Sequence, residues 1–312
     1  MKVGIMIEGQ EGLTWERWLR LAQAAEDLGY ESLCRSDHLT GLGGESKRPS
    51  LETWTSLTAL ALRTKRIRFG PMVSPLTFYH PALLAKMAAA VDTLSGGRLD
   101  LGLGAGWNEP EHRMFGVPFL TLKERLDRLE AGARVIRALE RGQPVTLEQP
   151  HFPLEKAESF PLPSAGRYRI VIGGRGEKRT LKIVAEFADE WNVTRVDLPG
   201  FVQKRGVLAE HCRAFGRDPE AIARSLMIPC AIGRDSAEVA KRIAAMRTTF
   251  PALPADEAGW HTVSFLAGSP ERIVADLKAW KQAGLQRVLL QSLDQEDLPG
   301  LELFAREFMP RL

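Results

Sequence analysis

The apolar pattern of this sequence switches repeatedly between short runs typical of buried strands and longer stretches of helical period. Eight short runs are each followed by a helix candidate: residues 3–7, 31–34, 67–73, 99–103, 169–172, 190–193, 226–232 and 287–291. Such alternation predicts βαβ units around a parallel sheet. Eight units favour a closed (β/α)8 TIM barrel, although six or seven of them would fit an open doubly wound sheet equally well.

Two of the predicted helices have recognisable ends. The first is expected to begin after Thr14, whose hydroxyl can cap it, and to stop at Gly29, which tolerates a left-handed conformation. A later helix is expected to open with a capping box formed by Thr121 and Glu124. These ends support the division of the chain into separate strand and helix units.

Length and composition restrict the class of protein. A β/α barrel with insertions can reach 312 residues as one domain, so a single domain over residues 1–312 is expected. The net charge is only +3 and the basic residues are dispersed, so neither nucleic acid nor an anionic membrane is an expected partner. No apolar run approaches the length of a membrane span, and no signal peptide is visible, so a cytoplasmic location is expected. The three cysteines match no disulfide framework and no zinc motif, so no metal site is expected.

Three stretches interrupt the alternation and are expected to mark the mouth of the barrel at its carboxyl-end face. Residues 40–50 form a glycine-rich segment after the second strand. Residues 143–167 contain five prolines, which predict a hairpin or lid rather than a helix. Residues 250–261 precede a short apolar run at 263–266 that we interpret as an accessory strand.

The second strand ends in an acid and an imidazole, Asp37 and His38, where barrel active sites are built. His38 can donate or accept a proton near neutral pH, and Asp37 can orient it or accept a hydrogen bond from a cofactor ring. The alternative is an aspartate that caps the loop beside a solvated histidine.

The third strand contains Pro71 and Pro75, which would break ladder hydrogen bonds unless the strand bulges. A bulge would let Met72, Val73 and Ser74 form a shelf under a planar ring. The alternative is a strand that simply ends at Pro75.

The fourth strand leads into glycines at 102, 104 and 106 and then into Asn108. Glycines allow a ligand to approach the backbone, and the Asn108 amide can hydrogen-bond a ring. The glycine spacing does not match a dinucleotide-binding fingerprint. Glu109 is interpreted as an acid of the first helical turn.

The fifth strand runs into a glycine-rich turn: Gly173, Gly174, Arg175 and Gly176. Exposed N–H groups at a helix start, with a charge from Arg175, Lys178 or Arg179, suit a phosphate. A tight turn with a solvated basic helix start is the alternative.

Four segments in this order and spacing resemble the bacterial luciferase-like oxidoreductases, and most closely their members that depend on the deazaflavin coenzyme F420. The segments are SDH after strand two, PMVSPLTFYHPALLAK across strand three, SGGRLDLGLGAGWNEPEHRMFG across strand four and VIGGRGEKRTLKIVAEFADEWN across strands five and six. The resemblance extends over residues 2–291.

The resemblance implies a barrel with an insertion, a flavin-type ring in its mouth, and the cofactor phosphate on the glycine-rich turn after strand five. It implies a cis peptide bond between Pro71 and Met72. Asp37, Ser74 and Asn108 would contact the ring or its side chain, and His38 would stand near the hydride-bearing carbon. The resemblance also suggests a homodimer, although no segment of the sequence identifies an interface.

The sequence also departs from the sugar-phosphate dehydrogenases of this superfamily. Their acidic glutamate in the fourth-strand loop aligns with Ala105, and a tryptophan that follows their Asp-His pair aligns with Leu42. Glu8 at the end of strand one is a candidate for the acid's catalytic role, or else a hydrogen-bonded carboxylate at the barrel end. A sugar-phosphate substrate is therefore disfavoured.

The sequence is compatible with three functions. The first is hydride transfer between F420 and a small organic substrate, with His38 stabilising or relaying a proton. The second is a monooxygenase that uses reduced flavin mononucleotide (FMN) and oxygen. The third is a non-catalytic protein that sequesters flavin or deazaflavin.

Overall fold

The computed structural model describes residues 1–42 and 47–312. Its strands are β1 (Lys2–Ile7), β2 (Ser32–Arg35), β3 (Arg68–Pro71), β4 (Ser74–Pro75), β5 (Asp100–Gly104), β6 (Val145–Leu147), β7 (Leu154–Ala157), β8 (Arg169–Gly173), β9 (Glu190–Thr194), β10 (Ala223–Ile232), β11 (Leu266–Gly268) and β12 (Arg287–Ser292). Its α-helices are α1 (Trp15–Asp27), α2 (Thr53–Arg63), α3 (Pro81–Ser95), α4 (Glu109–Met114), α5 (Leu122–Leu139), α6 (Thr180–Phe187), α7 (Leu198–Ala214), α8 (Ser236–Thr249), α9 (Glu257–Thr262), α10 (Pro270–Gln282) and α11 (Leu298–Glu307). Short 3₁₀ turns cover Pro219–Ala221 and Met309–Arg311.

The main sheet is parallel and confirms the (β/α)8 TIM barrel. Its strands follow the order β3, β2, β1, β12, β10, β9, β8, β5, β4. A parallel bridge between Phe69 and Leu99 brings β3 beside the start of β5 and closes the circle. Because β3 and β4 are the two halves of the predicted third strand, the barrel has the predicted eight strand positions around its circumference.

The third strand is interrupted at Met72 and Val73, as its two prolines predict. The cis peptide bond implied between Pro71 and Met72 is wrong by one residue, because the cis bond joins Met72 and Val73. Pro71 is still in register with Arg35 of β2, and the Met72 N–H donates to the Arg35 carbonyl at 2.7 Å. The ladder to β2 therefore persists through Met72, and the irregularity begins only after it.

The predicted helix ends are confirmed. The Thr14 hydroxyl accepts a hydrogen bond from the Arg17 N–H, and Gly29 has a φ of +79° after α1. Thr121 and Glu124 form the reciprocal capping box that opens α5. Local sequence thus determines where these helices start and stop.

Residues 143–167 form the predicted hairpin, β6 paired antiparallel with β7. The prediction that this segment lies at the mouth of the barrel is wrong. The segment connects α5 to β8, and none of its residues lines the cavity at the carboxyl ends of the strands. It packs outside the barrel: Phe152 lies under the Arg128 guanidinium and against His80, and the Ser164 N–H donates to Asp92 at 2.7 Å. The prolines predicted that this segment departs from the regular β/α pattern, but they did not predict where it packs on the barrel.

The accessory strand is present but begins later than predicted. β11 starts at Leu266 and pairs in parallel with the end of β10. Val263 and Ser264 instead form a turn, in which Ser264 has a φ of +60° and the Phe265 N–H donates to the Trp260 carbonyl. The preceding residues form α9, so the chain has to reverse before it can join the sheet.

A buried ionic network closes the amino end of the barrel. Arg287, at the start of β12, is 1% exposed. Its guanidinium contacts Glu31 at 2.9 Å, Asp100 at 3.0 Å and Glu190 at 3.1 Å. Above this network lies a layer of apolar side chains: Met6, Cys34, Met72, Val171 and Leu289. The barrel interior is therefore filled, and a ligand has to bind at the carboxyl end.

Among the described residues, no helix combines the length and the hydropathy needed to cross a bilayer.

The glycine-rich segment 40–50 follows β2, and its residues 43–46 lie outside the described residues.

Candidate active site

A cavity of about 980 Å³ lies where the strands of the barrel end. Its wall contains most of the predicted site residues: Asp37, His38, Met72, Val73, Asn108, Gly173, Gly174, Arg175 and Gly176. Ser74 and Glu8 are not among the residues of this wall. The structure therefore brings together the ends of β2, the third strand, β5 and β8, as a barrel active site requires.

The shelf under the cavity is formed by Val73 between two glycines. A Cβ atom at Gly104 would lie 2.4 Å from Val73 Cγ2, and one at Gly173 would lie 3.3 Å from Val73 Cγ1. A side chain at Gly104 would therefore displace Val73, and one at Gly173 would crowd it. The resulting smooth apolar wall, to which Met72 also contributes, suits the face of a planar ring.

Asp37 is buried and held by two hydroxyl groups. The Ser74 hydroxyl donates to one carboxylate oxygen, and the Tyr79 hydroxyl donates to the other at 3.1 Å. Burial raises the pKa of Asp37 above its usual range, although the Ser74 hydrogen bond and the Arg35 charge oppose that shift. Ser74 therefore orients Asp37 instead of lining the cavity.

His38 is paired with a carboxylate that the sequence did not single out. Its Nδ1 atom lies 2.9 Å from Oε2 of Glu111, and Glu111 is 1% exposed. The imidazole meets the Trp107 ring edge-on, with the ring centroids 5.6 Å apart. The predicted alternative of a solvated histidine is not what the structure shows.

The pair shifts both ionisation equilibria toward the charged forms. Burial acts to lower the pKa of His38, but the Glu111 hydrogen bond and charge outweigh it, so the pKa is raised. Burial acts to raise the pKa of Glu111, but the bonds to His38 and to the Leu39 N–H outweigh it, so the pKa is lowered. The pair therefore favours an imidazolium beside a carboxylate.

The same turn of α4 supplies the other polar groups. The Asn108 amide donates to Glu111 Oε2 at 3.2 Å, so this amide holds the carboxylate as well as lining the cavity. His112 is buried, with Nδ1 2.7 Å from the Asn108 carbonyl oxygen and Nε2 2.8 Å from the Thr77 hydroxyl. Glu109, by contrast, is an exposed first-turn acid that pairs with Arg113, as predicted. The i to i+3 spacing from Asn108 was the available signal for Glu111.

The glycine-rich turn after β8 presents unpaired backbone donors to the cavity. In the described part of the chain, no acceptor is paired with the N–H groups of residues 175–179. The turn is anchored from behind, because the Trp191 indole donates to the Gly174 carbonyl at 2.8 Å and Gly174 has a φ of +139°. Consecutive free N–H groups at the start of α6 form a cradle for an anion.

The basic side chains of this turn differ in availability. Arg179 is neutralised by Asp127 at 2.8 Å and Glu130 at 3.2 Å on α5. Arg175 is exposed and donates one N–H to the Arg195 carbonyl, while Lys178 is exposed at the rim. Of these three side chains, Arg179 is the one whose charge is paired with carboxylates, and Arg175 and Lys178 are the candidates for contact with an anion.

Glu8 does not line the cavity. Its carboxylate accepts hydrogen bonds from the Gln10 amide at 2.7 Å and from the Gln291 amide. It is 8% exposed, at the end of β1. The structure thus gives Glu8 the hydrogen-bonded barrel-end arrangement that was the alternative to a catalytic role.

Comparison with known proteins gives the family and the fold. Residues 1–287 match the family model described as luciferase-like monooxygenase. The F420-dependent glucose-6-phosphate dehydrogenase of Rhodococcus erythropolis is 27% identical over 94% of this chain and 93% of its own length.

Two solved structures share the fold over nearly the whole chain. An F420-dependent secondary alcohol dehydrogenase in complex with an F420–acetone adduct matches with a TM-score of 0.82 at 20% identity, covering 100% of this chain and 99% of that one. The monooxygenase RslO1 from Streptomyces bottropensis matches with a TM-score of 0.84 at 21% identity, covering 99% of each. These two matches support the fold alone.

Proposed function

Because the chain belongs to the luciferase-like monooxygenase family, we propose that it is an oxidoreductase that transfers a hydride between coenzyme F420 and a small organic substrate. One observation carries the proposal: a single cavity is lined both by the unpaired N–H groups after β8 and by the His38–Glu111 pair. The F420-dependent relative that aligns along nearly the full length supports F420 as the cofactor.

The residues present fit such a cofactor. The turn at residues 173–176 would hold its phosphate, and the shelf of Met72 and Val73 would support its ring. When bound, F420 supplies a ring carbon that donates or accepts a hydride. The protein's own contribution is to orient the ring, to exclude water and to move the accompanying proton.

The substrate side of the cavity favours an uncharged, largely apolar alcohol or carbonyl compound. Trp107 and Leu122 lie in the wall and are 62% and 61% exposed. The nearby Arg125 guanidinium donates to the Leu120 and Gly106 carbonyls, so two of its N–H groups are already engaged by the chain. Ala105 supplies no carboxylate, which again disfavours a sugar phosphate.

Anaerobic titration distinguishes the cofactors. We expect quenching of F420 fluorescence at micromolar protein, weaker binding of FMN, and absorbance changes of F420 on addition of 2-propanol or cyclohexanol but not of glucose 6-phosphate. Tight binding of reduced FMN with oxygen consumption, and no F420 binding, would overturn the proposal.

A flavin-dependent monooxygenase is the second candidate, favoured by the description of the matching family model. It would use the same phosphate turn and ring shelf. Oxygen consumption that depends on reduced FMN and on an organic substrate would identify it. Cofactor binding without turnover of any alcohol or carbonyl compound would instead support the non-catalytic binding protein.

A further inference from the structure

We propose that Glu111 is a positioning residue that holds the His38 imidazole with Nδ1 turned away from the cavity and Nε2 available to the substrate oxygen. The inference rests on the proposed hydride transfer and assigns the proton relay within it. Ala105 stands where related sugar-phosphate dehydrogenases are expected to carry a glutamate, and the carboxylate that contacts His38 comes from α4.

The geometry of Glu111 is that of a fully committed acceptor. Oε2 lies 2.9 Å from His38 Nδ1 and 3.2 Å from the Asn108 amide nitrogen. Oε1 accepts from the Leu39 N–H. Three donors converge on a carboxylate that is 1% exposed, so its position is set by the chain before any ligand binds.

The other ring nitrogen of His38 faces a different environment. His38 lines the cavity, and Nε2 has no hydrogen-bond partner within residues 1–42 and 47–312. Trp107 packs edge-on against the imidazole and limits its rotation. A carboxylate that accepts from one ring nitrogen selects the tautomer with the proton on that nitrogen, which leaves the other as the reactive atom.

Among the residues that the structure describes, three carboxylates raise the pKa of His38, each from a different element. Glu111 contacts it from α4, Glu8 acts from the end of β1, and Asp37 acts from the same loop. Glu111 alone forms a hydrogen bond to the imidazole, and its influence is the largest of the three that raise the pKa of His38. Removal of the Glu111 charge should therefore have the largest effect on the protonation of His38.

The proton step balances with the hydride step. In alcohol oxidation with oxidised F420 bound, the carbinol carbon would lose a hydride to the cofactor, the O–H bond would break, and its proton would pass to Nε2 of neutral His38. The products would be a carbonyl compound, the reduced cofactor with one added negative charge, and an imidazolium. Glu111 stays ionised throughout, and carbonyl reduction is the same step reversed.

The test uses the cofactor-free protein and measures His38 itself. The ¹⁵N and ¹³C–H signals of the imidazole are followed against pH in wild type, Glu111→Gln and Glu109→Gln. In wild type above the His38 pKa, the neutral ring should carry its proton on Nδ1. Glu111→Gln should lower the His38 pKa by about one unit or more, because an opposite charge within hydrogen-bond distance is removed. Glu109→Gln is the matched control on the same helical turn and should leave the His38 pKa unchanged.

Two results would overturn the assignment. One is a neutral wild-type ring protonated on Nε2, which needs no variant and so does not depend on how Glu111→Gln folds. The other is a His38 pKa in Glu111→Gln equal to that of wild type.

A kinetic measurement separates this inference from the proposed function. For F420-dependent oxidation of 2-propanol, the rising limb of kcat against pH should move to lower pH in Glu111→Gln, with kcat on the plateau reduced about tenfold or more. If F420 does not bind or does not react, the proposed function fails. The NMR titration still decides whether Glu111 controls His38.

Discussion

The proton-carrying capacity of His38 depends on a residue 73 positions away in sequence, Glu111. An isolated imidazole titrates near pH 6.5, whereas the paired one keeps its proton to higher pH. At His38 the partner carboxylate outweighs burial, whereas at Asp37 burial prevails and raises the pKa although two hydroxyl groups donate to the carboxylate. At the scale of single residues, therefore, the neighbours decide the charge.

Replacement of His38 by alanine tests its role in proton transfer. We expect kcat for F420-dependent alcohol oxidation to fall about 10²–10⁴-fold, the usual contribution of a positioned acid or base. The F420 dissociation constant should stay within about tenfold, since the phosphate turn is untouched. Stopped-flow absorbance and fluorescence quenching measure the two quantities, and undiminished hydride transfer would contradict the assignment.

Replacement of Glu8 by glutamine tests the alternative catalytic candidate. Because both Glu8 oxygens accept bonds from glutamine amides, the substitution places an amide N–H₂ against another donor and should cost about 1–3 kcal/mol of unfolding free energy. Since Glu8 does not line the cavity, activity should change less than about tenfold, the effect of a one-unit pKa change at His38. Urea unfolding and kcat/KM are compared, and a loss of activity larger than a hundredfold would restore Glu8 as catalytic.

At the scale of elements, the interrupted third strand and its glycine neighbours act as one unit. Val73 fills the space that side chains on β5 and β8 would otherwise take. The absence of side chains at Gly104 and Gly173 is therefore a packing requirement of the shelf. The glycine-rich turn at the start of α6 differs from this shelf, because its glycines belong to a segment whose backbone N–H groups are unpaired.

Replacement of Gly104 by alanine should destabilise the protein by about 1–3 kcal/mol and weaken F420 binding, because the new Cβ would overlap Val73 Cγ2. In a Val73→Ala background the same change should cost less, and a double-mutant cycle in urea would measure the difference. Gly206→Ala is the control, because Gly206 lies at an exposed position of α7 where a Cβ meets nothing within 4 Å, and the change should stabilise by about 0.5–1 kcal/mol. Additive effects of Gly104 and Val73 would contradict the shared shelf.

At the scale of the whole molecule, the barrel is divided into a structural end and a reactive end. The amino end is closed by Arg287 and three carboxylates from different strands and loops. The carboxyl end carries the cavity, whose wall has residues from the ends of β2, the third strand and β5 and from β8, β9 and β10. The ionic network around Arg287 holds the barrel strands together at the amino end, while the site at the carboxyl end has to stay open to ligands.

Replacement of Arg287 by methionine should lower the unfolding free energy by about 3–5 kcal/mol at pH 7, because Asp100 and Glu190 lose their most deeply buried arginine partner. The ion pairs hold the pKa of Asp100 below its usual range, so its contribution is present at neutral pH and is lost as pH falls through the folded-state pKa. The gap between wild type and variant should therefore narrow below about pH 4. Urea unfolding at several pH values measures it, and a gap independent of pH would contradict this account.

The strand and helix units, the helix caps at Thr14 and Thr121, the interruption of the third strand and the position of the glycine-rich turn could all be predicted from the sequence. These features depend on periodicity and on local backbone preferences, which neighbouring residues carry. The order of the motifs, through the family resemblance, predicted the ring shelf and the role of His38.

The contacts of the site residues could not be predicted from the sequence and depend on the fold. It paired His38 with Glu111, turned Ser74 toward Asp37, enclosed Glu8 between two glutamines and neutralised Arg179 on α5. It also put the proline-rich hairpin outside the barrel. The physical reason is that hydrogen bonds and charge interactions act through space, over a few ångströms, between residues that the fold brings together from distant parts of the chain.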